Sequence, residues 1–154
     1  MGKREDIGSW LEGPPRPAGA GAYPGADLGL PEEGPGSMAP MGRRLAALVI
    51  DGMICQVIAM GLLGYQQGVG GIGTFKPLLV VFVLNAILVG TAGFTIGHRL
   101  LGLRVQFCPV GYVGPRRSLI RAVLLCLGIP PLIVDRDGRG LHDRLAGTVI
   151  VRSR

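Results

Sequence analysis

Arg43-Arg44-Leu45-Ala46-Ala47-Leu48-Val49-Ile50-Asp51-Gly52-Met53-Ile54-Cys55-Gln56-Val57-Ile58-Ala59-Met60-Gly61-Leu62-Leu63 is the stretch on which the reading of the whole chain depends. From Leu45 to Leu63 only Asp51 and Gln56 are strongly polar. At about 1.5 Å rise per residue the run covers about 28 Å, close to the hydrocarbon thickness of a bilayer, so it predicts a transmembrane helix. A carboxylate inside such a helix costs several kcal/mol unless it faces protein or water. Asp51 therefore needs a partner. Arg44, Ala47 and Asp51 recur at i, i+3 and i+7 on one helical stripe, which Cys55 continues.

The surrounding composition agrees with a membrane chain. Of 154 residues 48% are hydrophobic, and the mean hydropathy is +0.44. Residues 1 to 42 hold three basic and six acidic residues, net −3, whereas residues 43 to 154 hold thirteen basic and four acidic, net +9. The basic excess belongs to the apolar part. Arg43, Arg44, Arg99, Arg104, Arg116 and Arg117 all flank apolar runs, where arginine meets anionic lipid headgroups and sets topology. That placement argues against nucleic acid as a partner. The odd cysteine count, Cys55, Cys108 and Cys126 without CxxC spacing, suggests neither a disulfide framework nor a metal site. No signal peptide is expected, since the first apolar run begins only after 44 residues.

Residues 1 to 40, with Gly-Pro-Pro-Arg-Pro at 13 to 17 and Gly-Pro-Gly-Ser at 34 to 37, predict a disordered Pro/Gly-rich cytoplasmic tail. Its hydrophobic island, Ser9-Trp10-Leu11, is either a docking point or a solvated remnant. A second membrane segment is expected over about 77 to 96, with Pro77 in its first turn and Asn85 as its polar side chain. Ala86/Gly90 and Gly93/Gly97 give small-xxx-small spacing, which would let another helix approach closely. Gly68-Val69-Gly70-Gly71-Ile72-Gly73 matches GxGxxG but joins two apolar helices, outside the βαβ setting that a dinucleotide site requires.

A third apolar stretch, about 118 to 134, is short, carries Arg121 and is broken by Gly128-Ile129-Pro130-Pro131. It either crosses, putting a basic C-terminal tail outside, or enters and returns. Leu103-Arg104-Val105-Gln106-Phe107 alternates, and Thr148-Val149-Ile150-Val151 is β-branched. Paired in the cytoplasm, these two strands would cover each other's edges and favour return. The fold expected is an all-α membrane domain over 41 to 154: two transmembrane helices, a broken third segment and a small cytoplasmic β pairing.

Arg121, about one turn into the third segment, has the reach to pair with Asp51. Gln56 and Asn85 fall at similar depth and are expected to hydrogen-bond across the first two helices. Asp51 is open to two readings, a buried ion pair that only holds helices together or an ion or proton site in a water-filled crevice. Asp135-Arg136-Asp137-Gly138 has the opening of a calcium loop, but Ala146 stands where the bidentate Glu belongs. His142 beside Asp143 forms neither a zinc site nor a triad, and no catalytic constellation, metal or cofactor is expected.

Three motifs carry a resemblance. Arg44-Leu45-Ala46-Ala47-Leu48-Val49-Ile50-Asp51, then Gly93-x-Thr95-x-Gly97-x-Arg99-Leu100-Leu101-Gly102-Leu103-Arg104-Val105, then Gly140-Leu141-His142-Asp143-Arg144-Leu145-Ala146-Gly147-Thr148 are similar in order and spacing to the RDD family of bacterial membrane proteins. The resemblance implies that the family's arginine and two aspartates are Arg44, Asp51 and Asp143. Ile96 and His98 stand where members often have Pro and Lys or Arg, which implies a looser turn after the second helix. The family implies location more firmly than activity: transport of unidentified ligands, with ion/proton antiport in some members. The expectation is a multi-pass inner-membrane protein, N-terminus cytoplasmic, transporting a small solute or ion. Arg44, Asp51 and Asp143 would form its site, supported by Arg121, Gln56, Asn85, Arg99 and His142. Two or three helices enclose no hydrated path, so transport would need a homo-oligomer or a larger membrane partner. The alternative is a non-transporting adaptor that recruits a partner through its N-terminal tail.

Overall fold

The computed structural model describes residues 23–107, 111–128, 133 and 139–154. Trp10, Cys108, the prolines at 130 and 131 and the loop opening at 135–138 lie outside the described residues. Among the described residues five α-helices and two strands follow in the order α1 (Met41–Leu63), α2 (Lys76–Thr91), α3 (Ile96–Leu100), β1 (Leu103–Phe107), α4 (Gly114–Cys126), α5 (Leu141–Ala146) and β2 (Thr148–Arg152).

α1 and the stretch Ile72–Thr91, a 3-10 turn leading into α2, are each long and apolar enough to cross a membrane. Their outer faces carry Val49, Met53, Val57, Leu62, Leu79, Val83 and Ile87, all exposed. So broad an apolar surface suggests a membrane location. The two helices run antiparallel: Ala47 and Val89 share one core cluster, Cys55, Ala59 and Val80 another.

The second helix ends at Thr91, five residues before the expected end at 96. Gly93 adopts φ +76, its carbonyl accepts from Val105 N–H at 2.7 Å, and the chain turns back into α3. Gly93 and Gly97 therefore form no membrane-helix face. Gly90 is met by α4 of the same chain, since a Cβ there would lie 2.6 Å from Ser118 Oγ. The close approach that small residues permit is used within the chain.

The third segment also differs from its expected bounds. α4 starts at Gly114, with Pro115 in its first turn, and ends at Cys126. It runs antiparallel along α2, with Ser118 Oγ 3.0 Å from the Ala86 carbonyl, Arg121 at Asn85, and Cys126 Sγ 3.7 Å from the Leu78 carbonyl. The chain then comes back, because Asp143 in α5 meets Arg121 five residues above the end of α4. β2 follows and pairs antiparallel with β1 from Leu103↔Arg152 to Phe107↔Thr148. Asp143, after the third segment, thus lies beside Arg121 near its start, and the expected strand pairing is present at the end of the bundle where α1 begins.

β2 is buried along Thr148–Val151 without alternation because both its faces are covered. Ile150 packs with Ala47, Val89, Leu103 and Val105. On the other face Val149 and Val151 pack with Leu30 and Met38. Residues 25–39 are thus folded, correcting the expectation of a disordered tail up to residue 40. Ala39 N–H donates to the Ile150 carbonyl at 3.0 Å and Gly36 N–H to the Arg152 carbonyl at 2.8 Å, so backbone pairing with β2 holds this segment.

Candidate functional site

α1 buries the predicted stripe of Arg44, Ala47 and Cys55, extended by Ala59. Asp51 sits on the same stripe and meets the start of α3. Thr95 caps α3 by accepting from the His98 backbone N–H at 3.3 Å, while His98 Nδ1 lies 3.4 Å from the Thr95 nitrogen. The turn is therefore a closed capping box, not the looser connection implied by Ile96 and His98. Its donors are aimed at α1. Gly97 N–H donates to Asp51 Oδ1 at 2.8 Å, and the Thr95 hydroxyl hydrogen-bonds Asp51 Oδ2 and closely contacts His98 Nδ1. A hydroxyl has one proton to give, so the protonation of Asp51 and the tautomer of His98 are coupled through Thr95. Position 97 admits only glycine at this spacing, because a Cβ would run into the Ala47 carbonyl and sit 3.0 Å from Asp51 Cγ.

A second cluster forms where α2, α4 and α5 meet. Arg121 Nε donates to Asp143 Oδ1 at 2.7 Å, and its Nη1 donates to Asn85 Oδ1 at 2.9 Å. Asn85 Nδ2 in turn donates to the Val81 carbonyl at 3.2 Å. The Thr148 hydroxyl lies 3.1 Å from Asp143 Oδ1, and His142 Nε2 3.3 Å from Oδ2. Two expected contacts are thereby corrected. Arg121 pairs with Asp143 instead of Asp51, because α4 packs on α2 and reaches the acid delivered by α5. Asn85 bonds Arg121 instead of Gln56, because it faces α4.

Burial alone would raise the Asp143 carboxyl, but the charges of Arg121, His142 and Arg44 outweigh it and hold the group well below the usual carboxylate range. His98 goes the other way for an imidazole. Burial, aided by the Arg121 charge, pushes it down to about 3, so it is neutral.

Between the clusters lies a cavity of about 70 Å³, lined by Arg44, Asp51, Asn85, His98, Arg121 and Asp143 among others. That is room for a few water molecules. Arg44 is buried and within Coulomb reach of Asp143. The cavity thus collects Arg44, Asp51 and Asp143 with the supporting residues Arg121, Asn85 and His142. Gln56 and Arg99 are not among its walls. Gln56 is half-buried one turn beyond Gly52, and Arg99 is exposed, its guanidinium 5.0 Å from the Phe94 ring. Thr95, Gly97, His98 and Thr148 were missed as site residues, although Thr-x-x-His at 95 to 98 has the spacing of a helix cap. Among the described residues no three His, Cys, Asp or Glu side chains are placed to hold a metal ion.

On the side away from α3, the apolar cluster of Cys55, Ala59 and Val80, flanked by Ile58, Val81 and Leu84, fills the space between α1 and α2. The polar network occupies only one half of the helix pair.

Neither a curated protein nor a solved structure matches this chain. The RDD family model matches residues 38–147, from the segment paired with β2 through the last turn before it. The matched span contains Arg44, Asp51 and Asp143, the three side chains that α1 and α5 bring to one cavity, and the chain belongs to the RDD family.

Proposed function

We propose that this protein is a multi-pass protein of the bacterial inner membrane, its N-terminus cytoplasmic, that takes a small solute or ion into the cavity between Arg44, Asp51 and Asp143 and contributes to its transport. The observation that carries the reading is the convergence of one buried and one partly buried carboxylate with two buried arginines, remote in sequence, on one space. Ionisable side chains at membrane depth are costly and mark ion or substrate sites by default. Arg43, Arg99, Arg104 and Arg116 are exposed at the end where α1 begins, which supports a cytoplasmic placement beside anionic headgroups. Asp51 would bind the ion or proton, and Arg44 and Asp143 would orient it. Transport requires a homo-oligomer or a larger membrane partner, since Cys55, Ala59 and Val80 close the way beyond the cavity.

That apolar closure also favours a second reading, a non-transporting adaptor whose buried charges only hold the helices together and whose N-terminal tail recruits a partner. Flux into vesicles reconstituted with the native chain or Asp51→Asn separates the two. Flux in the native chain that is lost in the variant, with unchanged melting and oligomer size, supports transport. Absence of flux from both, with partner capture that depends on residues 1 to 22, supports the adaptor.

A further inference from the structure

The cavity is a cleft with a chemical gradient. α4 packs along α2 and hardly meets α1, so α2 forms the floor and α1 and α4 the walls. Arg44, Arg121 and Asp143 line one end. Farther along the cleft the lining becomes Leu48 and Gly52 of α1, Val81 of α2 and Leu125 of α4. Because Leu78 lies at Cys126 and Asn85 at Arg121, Val81 and Leu125 lie on the far side of the charged cluster. The wall is open at Gly52: the residue is exposed, and a Cβ there would meet nothing within 4 Å.

A hydrated ion would leave the apolar half of this cleft unfilled, and a hydrocarbon would leave the charged half unsatisfied. The occupant that matches both is amphiphilic. The polarity of its head follows from the donors. Asp143 already accepts from Arg121 and Thr148, and Asp51 from Gly97 and Thr95. Arg121 commits Nε to Asp143 and Nη1 to Asn85, but a guanidinium carries five N–H donors and no acceptor, so what further partner it takes is an acceptor-rich anion, of which phosphate is the best geometric match.

We infer that the cleft binds an anionic phospholipid of the surrounding bilayer, its phosphate at Arg44 and Arg121 and one acyl chain along Leu48, Gly52, Val81 and Leu125. The inference rests on the membrane location proposed above and not on transport. An acyl chain entering beside Gly52 uses a side of α1 that no element among the described residues covers, and the phosphate meets the arginines without crossing the Cys55–Ala59–Val80 cluster.

The test uses the full chain in phosphatidylcholine vesicles containing a small fraction of phosphatidylglycerol with a photoreactive acyl chain. The expected label maps to peptides containing Leu48, Gly52 and Leu125 above the level at the outward-facing Val49, Met53 and Val57. Excess unlabelled phosphatidylglycerol competes, and excess phosphatidylcholine does not. Gly52→Leu, which fills the open wall and favours helix, loses most of the cleft label at unchanged melting temperature; Val57→Leu keeps it. Should Gly52→Leu lower the melting temperature, Gly52→Ala provides the same comparison with a smaller loss. Labelling no stronger in the cleft than on the outer face, or equal competition by the two lipids, overturns the inference. A chain that alkaline carbonate strips from the vesicles overturns the membrane reading itself. Retention with even labelling removes only the lipid assignment.

Discussion

Arg121 Nε lies 2.7 Å from Asp143 Oδ1, and both residues are almost wholly buried, at 2% and 1% exposure. Removing one partner strands the other in a low-dielectric space. Arg121→Met should cost about 3–5 kcal/mol, whereas Arg121→Met combined with Asp143→Leu should cost clearly less. Thermal unfolding of the four proteins in one detergent measures the difference.

Gly97→Ala should separate α3 from α1. Its Cβ has no room between the Ala47 carbonyl and Asp51, and relief by backbone movement breaks the 2.8 Å bond from Gly97 N–H to Asp51. A loss of about 1–3 kcal/mol is expected. The diagnostic readout is a lower melting temperature that Gly52→Ala, in open space on α1, does not produce.

Stability should fall on acidification in two stages. His98 is held at about 3 in the fold against 6.5 when exposed. Between those values the unfolded chain binds the extra proton, so stability decreases as the pH drops, by at most about 1.4 kcal/mol per unit. The groups acting on it are Arg121, Asp143, His142 and Arg44. Asp143 acts at lower pH: its stabilising effect is complete above 3.8 and is lost as the pH falls towards its depressed folded value. His98→Asn should flatten the melting profile between pH 6.5 and 4 and leave the more acidic limb in place.

A cysteine at the exposed position 153, in a chain whose own cysteines are replaced by alanine, should react with a membrane-impermeant thiol reagent from the same side as a cysteine at position 43. Gly36 N–H donates to the Arg152 carbonyl and Arg152 N–H to the Ser37 carbonyl, which puts the end of β2 beside the residues that precede α1. Reaction from the opposite side would contradict the return of the third segment.

The first helix was legible because length and apolarity alone define it, and the strand pair because alternation in one and β-branching in the other need no tertiary knowledge. Arg44, Asp51 and Asp143 were legible through motif spacing. Their partners were not. Depth along a helix axis placed Gln56 level with Asn85, but depth does not say which way a side chain faces, and Asn85 looks toward α4. Arg121 chose the acid from α5 over the one in α1 for the same reason. The folding of residues 25–39 was concealed by their Gly and Pro content, yet Thr148-Val149-Ile150-Val151 carried a trace of it: four successive β-branched residues without a charged member ask for cover on both faces. Thr95 and His98 lay inside a quoted motif and were passed over because the second helix was expected to run to 96, which hides a new helix capped by Thr95 and starting at Ile96.

The Arg121–Asp143 pair also constrains the order of assembly. Its acid is synthesised 22 residues after its base. Until α5 has been made, a docked α4 would set the Arg121 guanidinium against α2 with Asn85 as a neutral partner but without the carboxylate it pairs with in the fold. Firm docking of α4 on α2 is therefore expected to come with the arrival of α5.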